Sequence, residues 1–326
     1  MFLKNKRGQT KQSTARAYEY PTKHFIQFLE DHGIENTHDI DGYIIERWKS
    51  ARQDEVAPAT YKTSVKRIKT FIHYCERSQL VASGTFDAIE VPRISREDST
   101  SNKTLNYDVA TRVLGHLETY EYASRRHTIL SVLWNTGCRV SEVIALDTED
   151  VSPSPDGEHY VIDFIDRQSS GTALKNGTQG ERRVTISRDL HELIQDYKDV
   201  HREGVVDDYG REPLFTTPTQ RISRQRIYKN LTAITRPCVY SGRCPHEREI
   251  DDCKAAQKKK QAFSCPSAKS THPVRRGSIT HHLNSGWPKQ DVSDRCDVSL
   301  DVLEKHYNEQ TKEDERKQRL QYVENL

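Results

Sequence analysis

One stretch of the sequence interrupts the periodic pattern of apolar residues and so divides the chain. Residues 91–107, VPRISREDSTSNKTLNY, carry Ser, Thr, Asn and Pro with no regular apolar spacing, which is typical of a linker between domains. A chain of 326 residues has the length of about two domains. We therefore predict a helical domain over residues 1–92, a linker over 93–106 and a second domain over 107–326.

The first domain shows the apolar spacing of α-helices. In YKTSVKRIKTFIHYC, residues 61–75, apolar residues recur every three or four positions and fall on one helical face. Three lysines form a basic stripe beside that face: Lys62, Lys66 and Lys69.

The second domain combines helices with a short β-hairpin. HYVIDFI and RRVTI are predicted to be two strands, joined by the Gly-rich segment DRQSSGTALKNGTQGE. Lys175 is the only lysine in this hairpin, and Arg182 and Arg183 are predicted to lie on the strand surface. The fold class is therefore mainly α with a small β-sheet or hairpin, an α+β domain after a helical one.

The charge of the chain is almost balanced, so its location matters more than its sum. Lys and Arg total 50 against 48 Asp and Glu, a net charge of +2. Two basic tracts nevertheless lack acidic residues: QRISRQRIYKNLTAITR, with Arg221, Arg224 and Arg226, and the segment 254–269, with Lys258, Lys259 and Lys260. Such runs are usually solvated surface, but they also suit a polyanion.

The first residues, MFLKNKRG, have no hydrophobic region behind them, and no apolar run approaches the length of a membrane span. We therefore expect a cytoplasmic protein without a membrane partner. In that reducing compartment, the seven cysteines are not expected to form a disulfide framework.

Two short motifs could bind an anion. In TGCRVSE, Arg139 and Glu142 are three residues apart, so the acid can hold the guanidinium from one helical face; alone, such a pair is usually a surface contact. In THPVRRGSITHHL, Pro273 suits the first helical position, which predicts His272 at the N-cap and Arg275 in the first turn. That arrangement can receive a phosphate oxygen, or it is a solvated basic helix start.

A terminal tyrosine is ambiguous on spacing alone. In RCDVSLDVLEKHYNEQ, Leu300, Leu303 and Tyr307 fall on one helical face behind a Ser299 cap. This spacing by itself favours a packed aromatic side chain.

Taken in order, TGCRVSE, a hairpin with a lysine, HPVRR and a terminal tyrosine resemble the tyrosine recombinase and phage integrase family, in particular its archaeal-type members. The resemblance covers nearly the whole chain. It implies an N-terminal SAM-like core-binding domain that contacts DNA and a C-terminal catalytic domain.

The resemblance also implies roles for residues that match the family motifs. Tyr307 would be the nucleophile, Arg139 and Arg275 would hold the phosphate, and Glu142 would support Arg139. His272 would be the base and Lys175 the acid for the leaving 5′-oxygen. The product would be a 3′-phosphotyrosyl bond, made without a metal cofactor or ATP, in a site-specific recombinase or integrase.

Two other functions remain open at this stage. One is a catalytically impaired, zinc-stabilised DNA-binding protein, and the other is a relaxing topoisomerase of similar mechanism. The impaired protein is favoured by one departure: the family expects a His or Trp donor where this chain has Cys296 or Asp297. An ionised aspartate cannot donate a hydrogen bond to phosphate, so Arg295 or His306 would have to replace it.

The partners implied are duplex DNA and further copies of the chain, as a homo-tetramer on the recombining sites, with room for an accessory DNA-bending factor. The residues expected to contact the DNA backbone are those of the basic tracts: Lys62, Lys66, Lys69, Arg221, Arg224, Arg226, Lys258, Lys259 and Lys260.

Four cysteines crowd into residues 238–265, with five, eight and eleven residues between them. Four thiolates suit a closed, tetrahedral, structural zinc site, with His246 able to replace one of them. Buried free thiols or partial oxidation remain alternatives, because none of the gaps is a C-x-x-C knuckle. The predicted zinc ligands are Cys238, Cys244, Cys253 and Cys265.

Overall fold

A computed structural model describes residues 1–10, 12–95 and 103–307, except for the side chains of residues 12, 13 and 305–307. The chain divides into two compact units, Met1–Asn102 and Lys103–Leu326. This division falls within the segment predicted as a linker.

The described part of the first unit is helical. Its core includes Phe25, Trp48 and Ile68, which are almost inaccessible to solvent. The face predicted in residues 61–75 is buried from Tyr61 to Cys75, which confirms its helical period. The helices are α1 (Phe2–Gln9), α2 (Gln12–Asp31), α3 (Gly42–Glu55) and α4 (Pro58–Arg77).

The second unit is mainly helical with one small sheet, which confirms the predicted fold class. The α-helices of the second unit are α5 (Tyr107–Tyr120), α6 (Arg125–Thr136), α7 (Val140–Ala145), α8 (Arg188–Asp196), α9 (Arg224–Ile234), α10 (Pro237–Tyr240), α11 (Lys254–Gln257), α12 (Thr271–Asn284), α13 (Lys289–Cys296) and α14 (Leu300–Tyr307).

No helix among the described residues of either unit combines the length and apolarity needed to cross a membrane.

The sheet is antiparallel, in the order β1 (Val151–Pro153), β2 (Tyr160–Phe164), β3 (Arg182–Ile186). The two predicted strands are present and pair from Tyr160 opposite Ile186 to Phe164 opposite Arg182. Strand β1 is an addition that the alternation did not predict, because it has only three residues.

Helix α6 is the centre of the second unit. Every residue of α6 from His127 to Trp134 is buried, and α12 packs against this helix. The approach is close at Gly277, where an added Cβ would lie 1.9 Å from the carbonyl oxygen of Leu105. The Ser278 hydroxyl donates a 2.5 Å hydrogen bond to the Trp134 carbonyl. This contact sets the position of α12 and of the side chains at its start.

A small separate core supports the last described helix. It joins α12, α13 and α14 through Ile279, Leu283, Val292, Cys296 and Leu303, all of them buried. Helix α14 begins at Leu300, directly after the predicted Ser299 cap. This core therefore places the backbone of Tyr307 in the second unit.

Gly277→Ala should lower the free energy of unfolding by about 2 kcal/mol, because the new methyl group overlaps a backbone carbonyl that cannot rotate away. Gly115→Ala is the matched control: Gly115 is an exposed residue inside α5 with no atom near its Cβ position. It should raise the free energy of unfolding by about 0.5 to 1 kcal/mol. Urea denaturation of both variants measures the difference, and equal effects would contradict the close approach.

Candidate active site

The first arginine of the predicted site is fixed by a carboxylate that is completely buried. Arg139 is the N-cap of α7 and Glu142 is its third helical residue. The Glu142 carboxylate, with 0% of its side chain exposed, accepts the backbone N–H of Arg139 at 2.8 Å and its guanidinium at 3.2 Å. The predicted pair therefore forms, and it belongs to the interior rather than to the surface.

A third residue of this network was assigned wrongly from the sequence. Arg182 was predicted to lie on the strand surface, but only 10% of its side chain is exposed. It donates to Glu142 at 2.8 Å and to the Arg295 carbonyl at 2.7 Å. The alternation of β3 carries the missing signal: Arg182 shares the inward face of Val184. Arg183 points outward and pairs with Asp163, as a surface residue should.

The His-x-x-Arg motif lies near the start of α12, two positions further into the helix than predicted. The N-cap is Ser270, and the helix begins at Thr271, so the assignment of His272 as N-cap is wrong. Pro273 occupies the third helical position, which is tolerated because the first four N–H groups of a helix have no intrahelical partner. Arg275 is buried and donates to the Gly137 carbonyl at 2.7 Å.

Both predicted phosphate-binding arginines converge on Asp297. The Arg139 guanidinium forms a very short ion pair with the Asp297 carboxylate and donates to its backbone carbonyl at 2.5 Å. Arg275 donates to the same carbonyl at 3.2 Å. The other carboxylate oxygen accepts from the Asn176 amide at 2.8 Å. Asp297 ends α13 in the left-handed conformation, with φ of 50°.

The pKa of His272 reflects burial first and then the neighbouring positive charges, among them Lys175. Burial lowers the pKa of His272, and the positive charges of Arg276, Arg275, Lys175 and Arg139 lower it further. The hairpin lysine therefore lies close enough to the histidine to act on it. An imidazole with a lowered pKa is neutral at neutral pH and can accept a proton.

Two predicted residues, Tyr307 and the possible phosphate donor His306, stand at the end of the described part of the chain. Helix α14 ends at Tyr307, but the side chains of His306 and Tyr307 are outside the described residues. Arg295 is not the substitute phosphate donor that was considered, because it donates to the Asn135 carbonyl at 2.9 Å and to the Thr185 carbonyl at 3.0 Å.

One predicted DNA contact must be corrected. Only 12% of the Arg221 side chain is exposed. Its guanidinium donates to Asp147 at 2.6 Å, to Asp207 at 2.7 Å and to the Ile144 carbonyl at 3.0 Å. Arg221 thus links two loops of the second unit, and the absence of acids near it in sequence was misleading because its partners are distant along the chain.

Other predicted contacts line a basic groove, which we define by Arg125, Arg126, Arg226, Lys229, Lys259 and Lys260 around a cavity of about 510 Å³. Arg224 and Lys258 are exposed beside Arg226 and Lys259 in sequence.

In the first unit, Lys66 is exposed and Lys62 half-buried. Lys69 donates to the Ile89 carbonyl at 2.6 Å and lies over the Phe86 ring. It therefore stabilises that unit, and we remove it from the predicted DNA contacts.

The four cysteines of the predicted zinc site approach each other. Cys238, Cys244, Cys253 and Cys265 line one cavity together with His246, and none is in a disulfide. Within the described residues no three of these side chains stand at the spacing of a finished metal shell.

The fold and the site define a class of α+β protein in which two arginines meet on one residue, near a helix that ends at a tyrosine. Comparison with known sequences is consistent with this class, since the model of the phage integrase family matches residues 103–313. The chain belongs to the phage integrase family.

Individual relatives are distant. Tyrosine recombinase XerD of Oceanobacillus iheyensis is 24% identical over 242 residues, covering 72% of this chain and 74% of that protein. Tyrosine recombinase XerC of Chlamydia trachomatis serovar L2 is 24% identical over 181 residues, covering 55% of this chain and 49% of that protein.

Two solved structures share the fold at low identity. The Tn1549 transposon integrase in complex with a circular intermediate DNA gives a TM-score of 0.67 at 13% identity, covering 98% of this chain and 96% of that chain. XerH site-specific recombinase bound to its difH substrate gives a TM-score of 0.62 at 14% identity, covering 96% of this chain and 79% of that chain.

Arg182→Ala should lower the free energy of unfolding by about 3 kcal/mol, because it removes one of the two cations that compensate a completely buried carboxylate. Arg183→Ala, the neighbouring residue on the outer face of β3, should leave stability nearly unchanged. Chemical denaturation compares the two, and a stable Arg182→Ala protein would show that Glu142 does not need this partner.

Proposed function

We propose that this protein is a site-specific DNA recombinase that cuts and rejoins duplex DNA through a tyrosine–phosphate bond. The observation that carries the proposal is the convergence of Arg139 and Arg275 on one oxygen-bearing residue, Asp297, with His272 and Lys175 close by. Two guanidinium groups that meet on oxygen atoms can hold the two non-bridging oxygens of a phosphodiester. The distant relatives, which are named as tyrosine recombinases, support this choice of substrate.

In the proposed reaction, the Tyr307 oxygen attacks phosphorus while the bond from phosphorus to the 5′-oxygen breaks. The phenol proton goes to His272, whose lowered pKa leaves it neutral and able to accept. Lys175 gives a proton to the departing 5′-oxygen. The DNA strand stays attached through its 3′-phosphate, and a 5′-hydroxyl from a second strand reverses the step, so no external energy source is required.

The charge that gathers on the phosphate in the transition state would be compensated by two arginines, Arg275, which is buried, and Arg139, which is partly buried. Arg139 and Arg275 are held by Glu142 and by the Gly137 carbonyl before any substrate arrives. Donors fixed in this way need no reorganisation during the reaction and stabilise the transition state more than the ground state.

The proposed DNA path includes the basic groove. Arg126 is paired with Glu121, and the other five cations that line the groove can neutralise phosphates without reading sequence. We further propose that four copies assemble on two recombining sites, since two strand exchanges need four nucleophiles. An accessory DNA-bending factor would act on the DNA around them.

Asp297 favours a second candidate function, a DNA-binding protein with impaired chemistry. Its carboxylate pairs with Arg139, where a phosphate oxygen would have to bind, and its negative charge opposes that of DNA. We instead propose that Asp297 holds the DNA-free site closed and leaves Arg139 when DNA enters. Formation of a covalent protein–DNA adduct and the effect of removing the Asp297 charge distinguish these functions.

The first prediction concerns the covalent intermediate. Nicked duplexes of randomised sequence, labelled at the 5′ end of the cut strand, should give a protein–DNA adduct that resists SDS. A label 3′ of the cut should not remain with the protein, because the retained fragment ends in the 3′-phosphate. Tyr307→Phe should remove the adduct, and Tyr120→Phe, at an exposed position, should keep it. An adduct formed equally by Tyr307→Phe would contradict the assigned nucleophile.

The second prediction concerns the charge of Asp297. Asp297→Asn keeps a residue that tolerates the left-handed conformation and removes only the charge. The rate of adduct formation should rise about tenfold, since about 1.4 kcal/mol of opposition to the phosphate is relieved. Asp294→Asn, an exposed acid on the same helix, should change nothing. A slower Asp297→Asn protein would mean that the carboxylate orients Arg139 during the reaction.

A further inference from the structure

The segment 238–270 has a defined conformation although it has almost no core of its own. It contains the end of α10, helix α11, a 3-10 turn over Lys259–Ser264 and connecting loops. Its only buried apolar side chains are those of Ala255 and Ala262. Two alanines bury too little apolar surface to offset the conformational entropy of ordering such a segment. Small units of this kind usually need a covalent or metal staple.

The four cysteines of this segment lie within or next to its short helices and turns. Cys238 lies in α10, and Cys244 follows the turn at Gly242. Cys253 precedes the first residue of α11, and Cys265 follows the last residue of the 3-10 turn. All four line one cavity of about 20 Å³, which is room for about one water-sized sphere. A single ion bound there would cross-link these helices and turns.

We propose that Cys238, Cys244, Cys253 and Cys265 bind one structural zinc ion. Four thiolates around a cavity of single-ion size match the closed tetrahedral shell of structural zinc, which leaves no position for water or substrate. Among the described residues, no three of these side chains are at metal-binding distance. The shell would therefore form only when the cysteine side chains turn toward the ion. This assignment does not depend on the proposed recombination chemistry.

His246 lines the same cavity but is not assigned as a ligand. Its Nε2 atom shares a 2.9 Å hydrogen bond with the Ser267 hydroxyl. Four cysteines already complete the shell, so His246 would sit beside it and fix the loop between Cys244 and Cys253. His246→Ala should therefore retain the metal.

The ion would fix one wall of the basic groove. Arg236 is the buried N-cap residue of α10, and it donates to the carbonyls of Ala255, through a very short contact, and Ala256, at 2.8 Å. This anchors one side of the segment. The other side is the 3-10 turn Lys259–Ser264, which is followed by Cys265 and carries Lys259 and Lys260. Without the metal, those two lysines would lose their support.

The test is the metal content of the full-length protein, purified under reducing conditions without chelators and measured by mass spectrometry of the elements. The wild type should contain one zinc per chain. Cys244→Ala and Cys265→Ala should lose it, whereas Cys75→Ala, a buried cysteine of the first unit, should keep it. Removal of zinc with a strong chelator should lower the melting temperature, and added zinc should restore it.

Several results would overturn the proposal. A wild-type protein without zinc that gains no thermal stability on zinc addition has no such site. Zinc retained by Cys244→Ala and Cys265→Ala would exclude these ligands, and zinc lost equally from Cys75→Ala would indicate unspecific thiol binding. Loss of zinc from His246→Ala would replace the four-cysteine shell by one that includes the histidine.

A second readout ties the metal to the groove. Binding of a duplex of random sequence should weaken by a similar factor in the zinc-free protein and in the double variant Lys259→Ala, Lys260→Ala. Unchanged binding after metal removal would show that the ion does not support the groove. Neither measurement involves strand cleavage, so failure of the zinc proposal and failure of the recombinase proposal are distinguishable.

Discussion

The buried carboxylate of Glu142 is the constraint on which the site depends. A carboxylate with no exposed surface is stable only when its charge is compensated, and here Arg139 and Arg182 compensate it from two different elements. Arg182 continues the network to the Arg295 carbonyl in α13. One acid therefore ties together the start of α7, strand β3 and the helix that leads to Asp297.

This network explains why some site residues could be predicted and others could not. Glu142 follows the N-cap residue Arg139 by three positions, and His272 and Arg275 have the same spacing within α12, so local geometry already places each pair together. Arg182 and Glu142 are 40 residues apart in the sequence. A pattern of neighbouring residues cannot predict a contact over that separation. Only the inward alternation of β3 could have indicated that Arg182 was not a surface residue.

The fold followed the same division between local and distant information. The helical face of α4 and the paired strands β2 and β3 could be predicted from periodicity, because side-chain direction repeats with the backbone. The function of Arg221 could not, because its acidic partners Asp147 and Asp207 come from other loops. A run of basic residues without local acids therefore did not indicate exposure.

Two acids in the site have different relations to the same arginine. Glu142 contacts Arg139 from the interior, where no water or substrate can replace it. Asp297 contacts Arg139 from the outer side, with 13% of its side chain exposed, at the end of a helix where the backbone already has a positive φ. In the proposed function, a phosphate would therefore exchange with Asp297 but not with Glu142. Glu142 would then keep the guanidinium in position, and Asp297 would set how strongly the DNA-free site resists an incoming anion.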